Sequence, residues 1–334
     1  MPETKRSILR RAGTFLRFVQ QQRARLPQLA AGLPAPDPAG PLLIDGSESD
    51  WTPCGLSVAR GDRFQISARG HGWLAKGLGL VFEPQAALFV RIGGVGPVRR
   101  IAAADWVFEA WTNGEVEILS KGLSEFADRN GTLLPGKRPA MRPGFSVRTA
   151  RTEAQCDGTG VPADWNYLWR IGEAQVFTGE RDDVEVSLDA SVGILQRDVD
   201  IPLTGNTLLE WDWLVESLPS ALPEDLAFTH DYLSIAVEFE NGRDLTYMWS
   251  AGLDEGHIFR CPLDWWCDWE THWVLRSGPT GLGQWHNEKR LIAADYREAL
   301  GEPVPARVVR VWLIANSVFQ RQSAHARFRN IRVA

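Results

Sequence analysis

Two regions of the chain alternate apolar and polar residues with the period of β-strands. In the first region, residues 51–147, alternating runs at 63–68, 88–92 and 115–119 are separated by turns that contain glycine. Short, half-buried strands at this spacing are typical of a β-sandwich or jelly roll. We therefore predict an all-β domain over residues 51–147.

The second region, residues 165–334, shows the same pattern with one helical interruption. Its strand candidates are 184–188, 208–215, 233–239, 245–249, 271–276, 308–315 and 326–333. We expect residues 287–300 to form a surface helix, with Asn287 as its N-cap and Gly301 as its stop. A region that consists mostly of strands with a single helix predicts a second β-sandwich.

A helical pattern precedes both regions. The apolar residues that recur at helical spacing are Ile8, Ala12, Phe15, Leu16 and Val19. They share one face and predict an amphipathic helix over residues 1–30. Residues 31–50 are rich in proline, which cannot continue a helix, and predict a linker; residues 148–164 predict a connector between the domains. The predicted architecture is therefore all-β: two tandem jelly-roll-like β-sandwich domains preceded by an N-terminal amphipathic helix.

Charge separates the helix from the rest of the chain. The 334 residues carry a net charge of −6, but seven basic residues and one acidic residue give residues 1–30 a charge of +6, which leaves −12 for the rest. The helix could pack on the protein's own surface, or it could contact a membrane surface or a partner protein. The acidic body argues against nucleic-acid binding, and no apolar run approaches the roughly 18 residues of a membrane span.

The four cysteines, at 54, 156, 261 and 267, form no closely spaced pair of metal ligands. Isolated thiols in a chain of this length are typical of a reducing compartment, so we expect a cytoplasmic protein. A disulfide between Cys261 and Cys267 is the alternative. No metal site is predicted from the cysteines.

The first region resembles the galactophilic bacterial lectin (PA-I-like) domains. The residues that carry this resemblance are Trp51, Gly55, Leu56, Val58, Gly61, Asp62, Phe64, Ile66, Ala68 and Gly70, followed by residues 87–93, 114–118 and 128–131. The resemblance implies a jelly roll with a calcium and galactose site. Lys121 and Arg129, however, fall where that family has oxygen ligands for calcium. We therefore expect a lectin-like accessory domain whose calcium site is lost, and no cofactor.

The second region resembles a bacterial family known only as domain of unknown function 3047. The motifs are Trp211-x-Trp213, Asp231-Tyr232, Thr246-Tyr247-x-Trp249, Trp273-Val274-x-x-Ser277-Gly278, Trp285-x-x-Glu288-x-Arg290 and Asp295-Tyr296 before Gly301. Where a paired acid is expected before the tyrosine, this chain has His230-Asp231. The resemblance supports the fold and implies no activity.

Tryptophan is the unusual component of the composition. The chain has 15 Trp and 4 Tyr, and 11 of the Trp lie in the second region. The pair Trp211 and Trp213 is expected in the core, whereas Trp residues at strand ends suit a sugar face or an apolar ligand. The predicted ligand-binding residues are Trp249, Trp266, Trp285, Trp269, Tyr247 and Tyr232.

Acidic and imidazole side chains form the candidate chemistry. If residues 268–273 are a strand, Asp268, Glu270 and His272 share one face. These three could perform acid–base catalysis, or form a hard metal site completed from elsewhere, or make up a solvated polar face. His230 and Asp231 precede a strand, where functional groups often lie, and they are further candidates for catalysis, although Asp231 could instead anchor a turn or a neighbouring arginine. We expect a protein that binds a glycan or a small, partly apolar molecule. The alternative is a cofactor-independent lyase, hydrolase or cyclase.

Overall fold

The computed structural model describes residues 5–32, 42–45, 51–78, 80–120, 144–156, 161–171, 175–264 and 266–334. These residues are mostly β-strand, as the sequence predicted, with an N-terminal helix. The chain divides into two compact units. One consists mainly of residues 19–159, and the other consists mainly of residues 160–334 together with the helix as far as Phe18.

The first unit contains two sheets. Its strands are β1 Leu42–Asp45, β2 Thr52–Val58, β3 Arg63–Ala75, β4 Leu80–Phe82, β5 Leu88–Ile92, β6 Val95–Arg100, β7 Asp105–Glu109, β8 Gly114–Ser120 and β9 Gly144–Arg151. One sheet has the order β1-β9-β3-β4 with β7 also paired to β3, and the other has the order β2-β8-β5-β6. The strands predicted at 63–68, 88–92 and 115–119 are confirmed. Lys121 and Arg129, where calcium ligands were considered, lie outside the described residues.

The second unit contains two larger sheets. Its strands are β10 Asn166–Ile171, β11 Phe177–Glu180, β12 Asp183–Asp189, β13 Val192–Pro202, β14 Leu208–Ser217, β15 Leu233–Phe239, β16 Asp244–Ser250, β17 Ile258–Arg260, β18 Glu270–Ser277, β19 Trp285–Leu291, β20 Arg307–Asn316 and β21 Ser323–Val333. The seven-stranded sheet has the order β10-β13-β20-β15-β16-β18-β17, and the five-stranded sheet has the order β11-β12-β21-β14-β19. All seven strands predicted in this half are present.

The main core of the second unit consists of alternate residues from its strands. Trp211 and Trp213 of β14 are fully buried there, with their rings in edge contact at 5.8 Å. Strand β15 contributes Leu233, Ile235 and Val237 to the same core. The tryptophan pair of β14 is therefore core, as its alternation predicted.

The seven-stranded sheet is also covered on its other side. In β15 every residue is buried, including those that point away from the main core. We call this second side the outer face, and one row across it consists of Gln196, Trp312, Ala236, Thr246 and His272. A smaller apolar cluster, which includes Trp312 and Met248, packs on it. The outer face thus combines buried polar and aromatic side chains.

The predicted helix over 287–300 is wrong in its first part. Residues 285–291 form strand β19, and the helix α2 spans only Ile292–Leu300. Asn287 is not an N-cap, because β19 pairs with β14 and Asn287 donates a hydrogen bond to Asp212 there. Sheet pairing overrides the local helical pattern. Gly301 ends the helix with a φ of 83°, as predicted.

The N-terminal helix α1 spans Lys5–Gly32, and its apolar face differs from the predicted one. Ile8, Ala12 and Leu16 are exposed, whereas Thr14 and Phe18 are buried. The predicted face therefore coincides with the packed face only in part, since Phe15 lies against the second unit. No helix in the described part of the chain has the length and apolar character to cross a membrane.

Contacts with the second unit explain which face of α1 is buried. The ring of Phe18 stacks on Phe228 with centroids 6.2 Å apart, and Phe15 lies 6.0 Å from the same ring. The guanidinium of Arg10 donates two hydrogen bonds to the carboxylate of Asp225, which is almost buried. This ion pair places arginine on the packed side of the helix and leaves Ile8 in solvent.

Phe18→Ala should loosen the helix, because removal of a buried phenyl ring costs about 3 kcal/mol of packing free energy. We expect faster tryptic cleavage at Arg17 and Arg23, measured by mass spectrometry of timed digests. Ile8→Ala is the matched control and should change the cleavage rate little, since Ile8 is exposed. Equal cleavage rates in the two variants would contradict this account of the packing.

Asp212 joins three elements of the five-stranded sheet. Its carboxylate accepts hydrogen bonds from Asn287 at 2.9 Å, from Asn330 at 2.7 Å and from Arg329 at 3.1 Å. Burial raises the pKa of Asp212, but the hydrogen bonds and the guanidinium outweigh burial and lower the pKa below 3.8. The ionised carboxylate is therefore the form that the folded protein stabilises.

Asp212→Asn should remove a pH-dependent part of the stability. A lowered folded-state pKa stabilises the protein above the unfolded-state value of 3.8, and this contribution is lost as the pH falls through the folded-state value. The difference in unfolding free energy between wild type and variant should therefore be largest near pH 6 and shrink toward about pH 3. Urea unfolding followed across that range measures it, and a constant difference would refute the assignment.

Candidate functional site

Strand β18 carries two functional side chains on the outer face of the seven-stranded sheet. Glu270 and His272 alternate with Thr271 and Trp273, so the first pair lies on the outer face and Trp273 points into the main core. Thr246 of β16 lies beside His272 in the parallel pairing of β16 and β18. The alternation inferred from the sequence therefore holds from Glu270 onward.

Two further side chains approach these residues from connecting segments. His230 lies just before β15, and Cys261 follows β17. One ligand atom from each of His230, Cys261, Glu270 and His272 lies within 4.8 Å of the others, and all four residues are buried. We call these four residues the His–Cys–Glu cluster.

Hydrogen bonds fix the orientation of two members of the cluster. His230 Nδ1 lies 2.7 Å from the carbonyl oxygen of Glu224, so Nδ1 donates and Nε2 is left facing Cys261 Sγ at 3.5 Å. The hydroxyl of Tyr232 donates to Glu270 Oε1 at 3.0 Å. Glu270 Oε2 then lies 3.5 Å from His272 Nε2.

Burial controls the protonation of the cluster. It lowers the pKa of His230 to about 3 and raises the pKa of the Cys261 thiol well above its usual value. For Glu270 burial alone would raise the pKa, but the imidazole of His272 outweighs it and lowers the pKa below its usual value. At neutral pH the cluster thus holds a neutral His230 imidazole, a protonated thiol and an ionised carboxylate.

Aromatic rings enclose the cluster. Phe259 stacks on the ring of His272 with centroids 4.9 Å apart, and Tyr232 contacts the same ring edge-on at 4.9 Å. The His230 ring lies 4.8 Å from that of His272. Imidazole, thiol and carboxylate groups in such surroundings are the donor types of transition-metal sites rather than of calcium sites.

Two of the predicted catalytic residues lie elsewhere. Asp231 is fully buried and accepts hydrogen bonds from the backbone N–H groups of Phe319 and Gln320, which turns it away from the cluster. Asp268 is 79% exposed and lies 4.0 Å from Arg260. It misses the shared face because residues 266–269 form a turn, so that the strand begins only at Glu270.

The predicted ligand-binding residues are dispersed. Trp249 and Tyr247 are fully buried in the main core, where Trp249 Nε1 donates to the Gly278 carbonyl and the Tyr247 hydroxyl donates to Asp295. They cannot line an open site, because alternation in β16 points both side chains between the sheets. Tyr232 belongs to the surroundings of the His–Cys–Glu cluster, as described above.

The other three predicted tryptophans lie nearer to solvent. Trp285 is in the five-stranded sheet, where the Arg329 guanidinium stacks on its ring at 3.7 Å. Trp266 is half-buried over the outer face, with its ring 6.1 Å from that of Trp312. Trp269 is 48% exposed. Of these three, Trp266 is the one whose ring contacts the aromatic part of the outer face.

Sequence reasoning missed Cys261, which it treated as an isolated thiol or as a partner of Cys267. Both cysteines are free. It also missed Glu238, a buried acid that accepts hydrogen bonds from Arg310 and from Trp312 Nε1. The sequence signal for Glu238 was an acidic residue in an otherwise apolar strand. That signal is weak, because the sequence does not show that this side of the strand is buried.

Comparison with known proteins finds a family model that matches the second half of the chain and solved structures that are similar at low scores. Three of these structures are described first. The xyloglucanase domain of NopAA, a type three effector from Sinorhizobium fredii in complex with cellobiose, is 9% identical, with 52% of this chain and 99% of that chain covered and a TM-score of 0.31. The agarase AgWH50C is 11% identical, with 52% of this chain and 24% of that chain covered and a TM-score of 0.26.

The third structure concerns carbohydrate-binding modules from the β-sandwich super family. It is 12% identical, with 90% of this chain and 100% of that chain covered and a TM-score of 0.26. At these scores none of the three similarities identifies a ligand or a reaction. No curated protein matches the chain by sequence. Residues 174–332 match the family model described as Protein of unknown function (DUF3047), as the motifs of the second half predicted.

Asp231→Ala should lower the free energy of unfolding by at least about 2 kcal/mol, because it leaves two buried backbone N–H groups without acceptors. The matched control Asp268→Ala should stay within about 0.5 kcal/mol of wild type, since that side chain is exposed. Urea unfolding measures both variants. A stability of Asp231→Ala equal to that of Asp268→Ala would contradict the anchoring role of Asp231.

Proposed function

We propose that the second unit is a carbohydrate-binding β-sandwich whose ligand lies against the aromatic part of the outer face. The observation that carries the proposal is the pairing of Trp266 and Trp312 beside buried polar side chains on one sheet. In this proposal the first sandwich is an accessory domain, in keeping with its resemblance to galactophilic lectins.

The indole of Trp266 supplies the apolar surface that a sugar ring needs. It is half-buried and rests edge-on against the fully buried Trp312, which restricts its movement before any ligand binds. Sugars present C–H groups on their ring faces, and indole is the largest flat side chain that can cover them. A restricted ring also loses little conformational entropy on binding.

Arg310, which is 25% exposed, and the exposed Asp198 are the polar groups near the indoles that can bind sugar hydroxyl groups. Glu238 accepts from Arg310 and Trp312, and Arg310 also reaches the exposed Asp198 at 2.9 Å. Gln196 lies next to Trp312 across the sheet, and its Oε1 is buried without a hydrogen-bond partner in the described part of the chain. The charged groups Arg310 and Asp198 suit the hydroxyl groups of a sugar better than they suit an apolar ligand.

The enzyme alternative would place acid–base catalysis at the His–Cys–Glu cluster. Of its five predicted residues, Asp231 holds a loop and Asp268 lies in solvent. The other three, His230, Glu270 and His272, are buried among aromatic rings. A general acid or base has to reach its substrate within hydrogen-bond distance. Burial of these three residues argues against catalysis in the cluster, whereas Trp266 and Arg310 at the aromatic part of the outer face are partly exposed and can meet a ligand.

Trp266→Ala should weaken binding at least about tenfold, which corresponds to loss of a stacking contact of about 1.4 kcal/mol. We expect wild type to bind members of a panel of neutral glucose-, xylose-, mannose- and galactose-based oligosaccharides in isothermal titration calorimetry. Glu238→Gln should weaken the same interaction, since it removes the buried charge that holds Arg310 in place beside the indoles.

Trp285→Ala is the matched control for the loss of an indole. Its ring lies in the five-stranded sheet, so the dissociation constant should stay at the wild-type value. Melting temperatures of all variants show whether the fold is retained. Absence of binding by wild type across the panel, or equal affinities of Trp266→Ala and wild type, would overturn the proposal.

A further inference from the structure

The donor atoms of the His–Cys–Glu cluster are spaced for a single metal ion. In a tetrahedral zinc site, bonds of about 2.0–2.3 Å place neighbouring ligand atoms about 3.3–3.8 Å apart. Cys261 Sγ lies 3.5 Å from His230 Nε2, and Glu270 Oε2 lies 3.5 Å from His272 Nε2. The widest separation within the cluster is 4.8 Å, so small side-chain movements would complete the tetrahedron.

The His272 imidazole makes no hydrogen bond within the described residues, although its Nε2 lies 3.5 Å from Glu270 Oε2. His272 is 0% exposed. A buried polar group without a partner costs about 1–3 kcal/mol, and most are satisfied in folded proteins. A metal ion bound through Nε2 would satisfy the nitrogen that faces Glu270.

Neighbouring groups orient the ligands as they do in known metal sites. His230 donates through Nδ1 to the carbonyl oxygen of Glu224, which leaves the lone pair of Nε2 toward the cluster. Tyr232 donates to Glu270 Oε1 at 3.0 Å, which leaves Oε2 toward His272. These hydrogen bonds thus fix the tautomer of His230 and determine which carboxylate oxygen of Glu270 faces the cluster.

We propose that His230, Cys261, Glu270 and His272 bind one divalent transition-metal ion of the zinc class. Two imidazoles, a thiolate and a carboxylate suit zinc better than magnesium or calcium, which prefer oxygen ligands. On binding, the S–H bond of Cys261 breaks, a metal–sulfur bond forms and the proton passes to water. The ion, the thiolate and the carboxylate then sum to zero charge, which makes burial of the site less costly.

The proposed ion has a structural consequence for the outer face. Its ligands come from three segments: the turn before β15, the residue after β17, and β18. One ion would therefore tie two connecting segments to the sheet. The site is closed by four protein ligands, which is typical of structural rather than catalytic zinc. It is independent of the carbohydrate proposal and uses none of the residues assigned to sugar contact.

The test measures metal content and ligation separately from sugar binding. Full-length protein, stripped with a chelator and dialysed against zinc, should hold one zinc ion per chain in plasma mass spectrometry. Replacement of the zinc by cobalt should give the visible absorption of a tetrahedral cobalt site. It should also give a charge-transfer band from the Cys261 thiolate to cobalt. Cys261→Ser should lose that band and weaken zinc affinity at least about tenfold.

Cys267→Ser is the matched control, since Cys267 is free and lies outside the cluster. It should keep both the band and the stoichiometry. The melting temperature of wild type should rise with zinc, and His272→Gln should abolish that response even if its fold is weakened. Wild-type protein that holds no stoichiometric zinc and melts at the same temperature with and without it would overturn the proposal.

Discussion

Burial of both faces of the central strands β15 and β16 is the constraint on which the chemistry of the second unit depends. Every residue of β15 is buried, although only alternate residues pack into the core between the sheets. A mostly antiparallel sheet commonly shows a polar face to water, but here that face is covered at its central strands. Its polar groups must find partners inside the protein, because an unpaired buried group costs about 1–3 kcal/mol.

The outer face meets this constraint in two ways. In its aromatic part, the charge of Glu238 is neutralised by Arg310, and Glu238 accepts a hydrogen bond from Trp312 Nε1. Toward the other side, Glu270 and His272 face each other among aromatic rings, with no arginine or lysine paired to Glu270 among the described residues. The first arrangement forms a fixed aromatic and polar surface. The second leaves imidazole nitrogens without hydrogen bonds, which is why it suits an ion.

Buried carboxylates also hold the segments that cover the outer face. Glu224 accepts hydrogen bonds from Ser250 Oγ and from the backbone N–H of Ala251, and burial raises its pKa to about 7. Its carbonyl oxygen in turn orients His230. Asp231 anchors the segment around Gln320 in the same manner. Polar anchors, rather than apolar packing alone, therefore place the loops over the sheet.

Alternation of residue type by itself determined the all-β class, the strands of the second half and the shared face of Glu270 and His272. It did so because strand period is a local property of the chain. It failed at 285–291, where pairing with β14 overrode a helical pattern, and at Asp268, where a turn preceded the strand. Only the tertiary structure decided that the polar side of β18 is buried and that His230 and Cys261 meet it, because that convergence comes from pairing between strands distant in sequence.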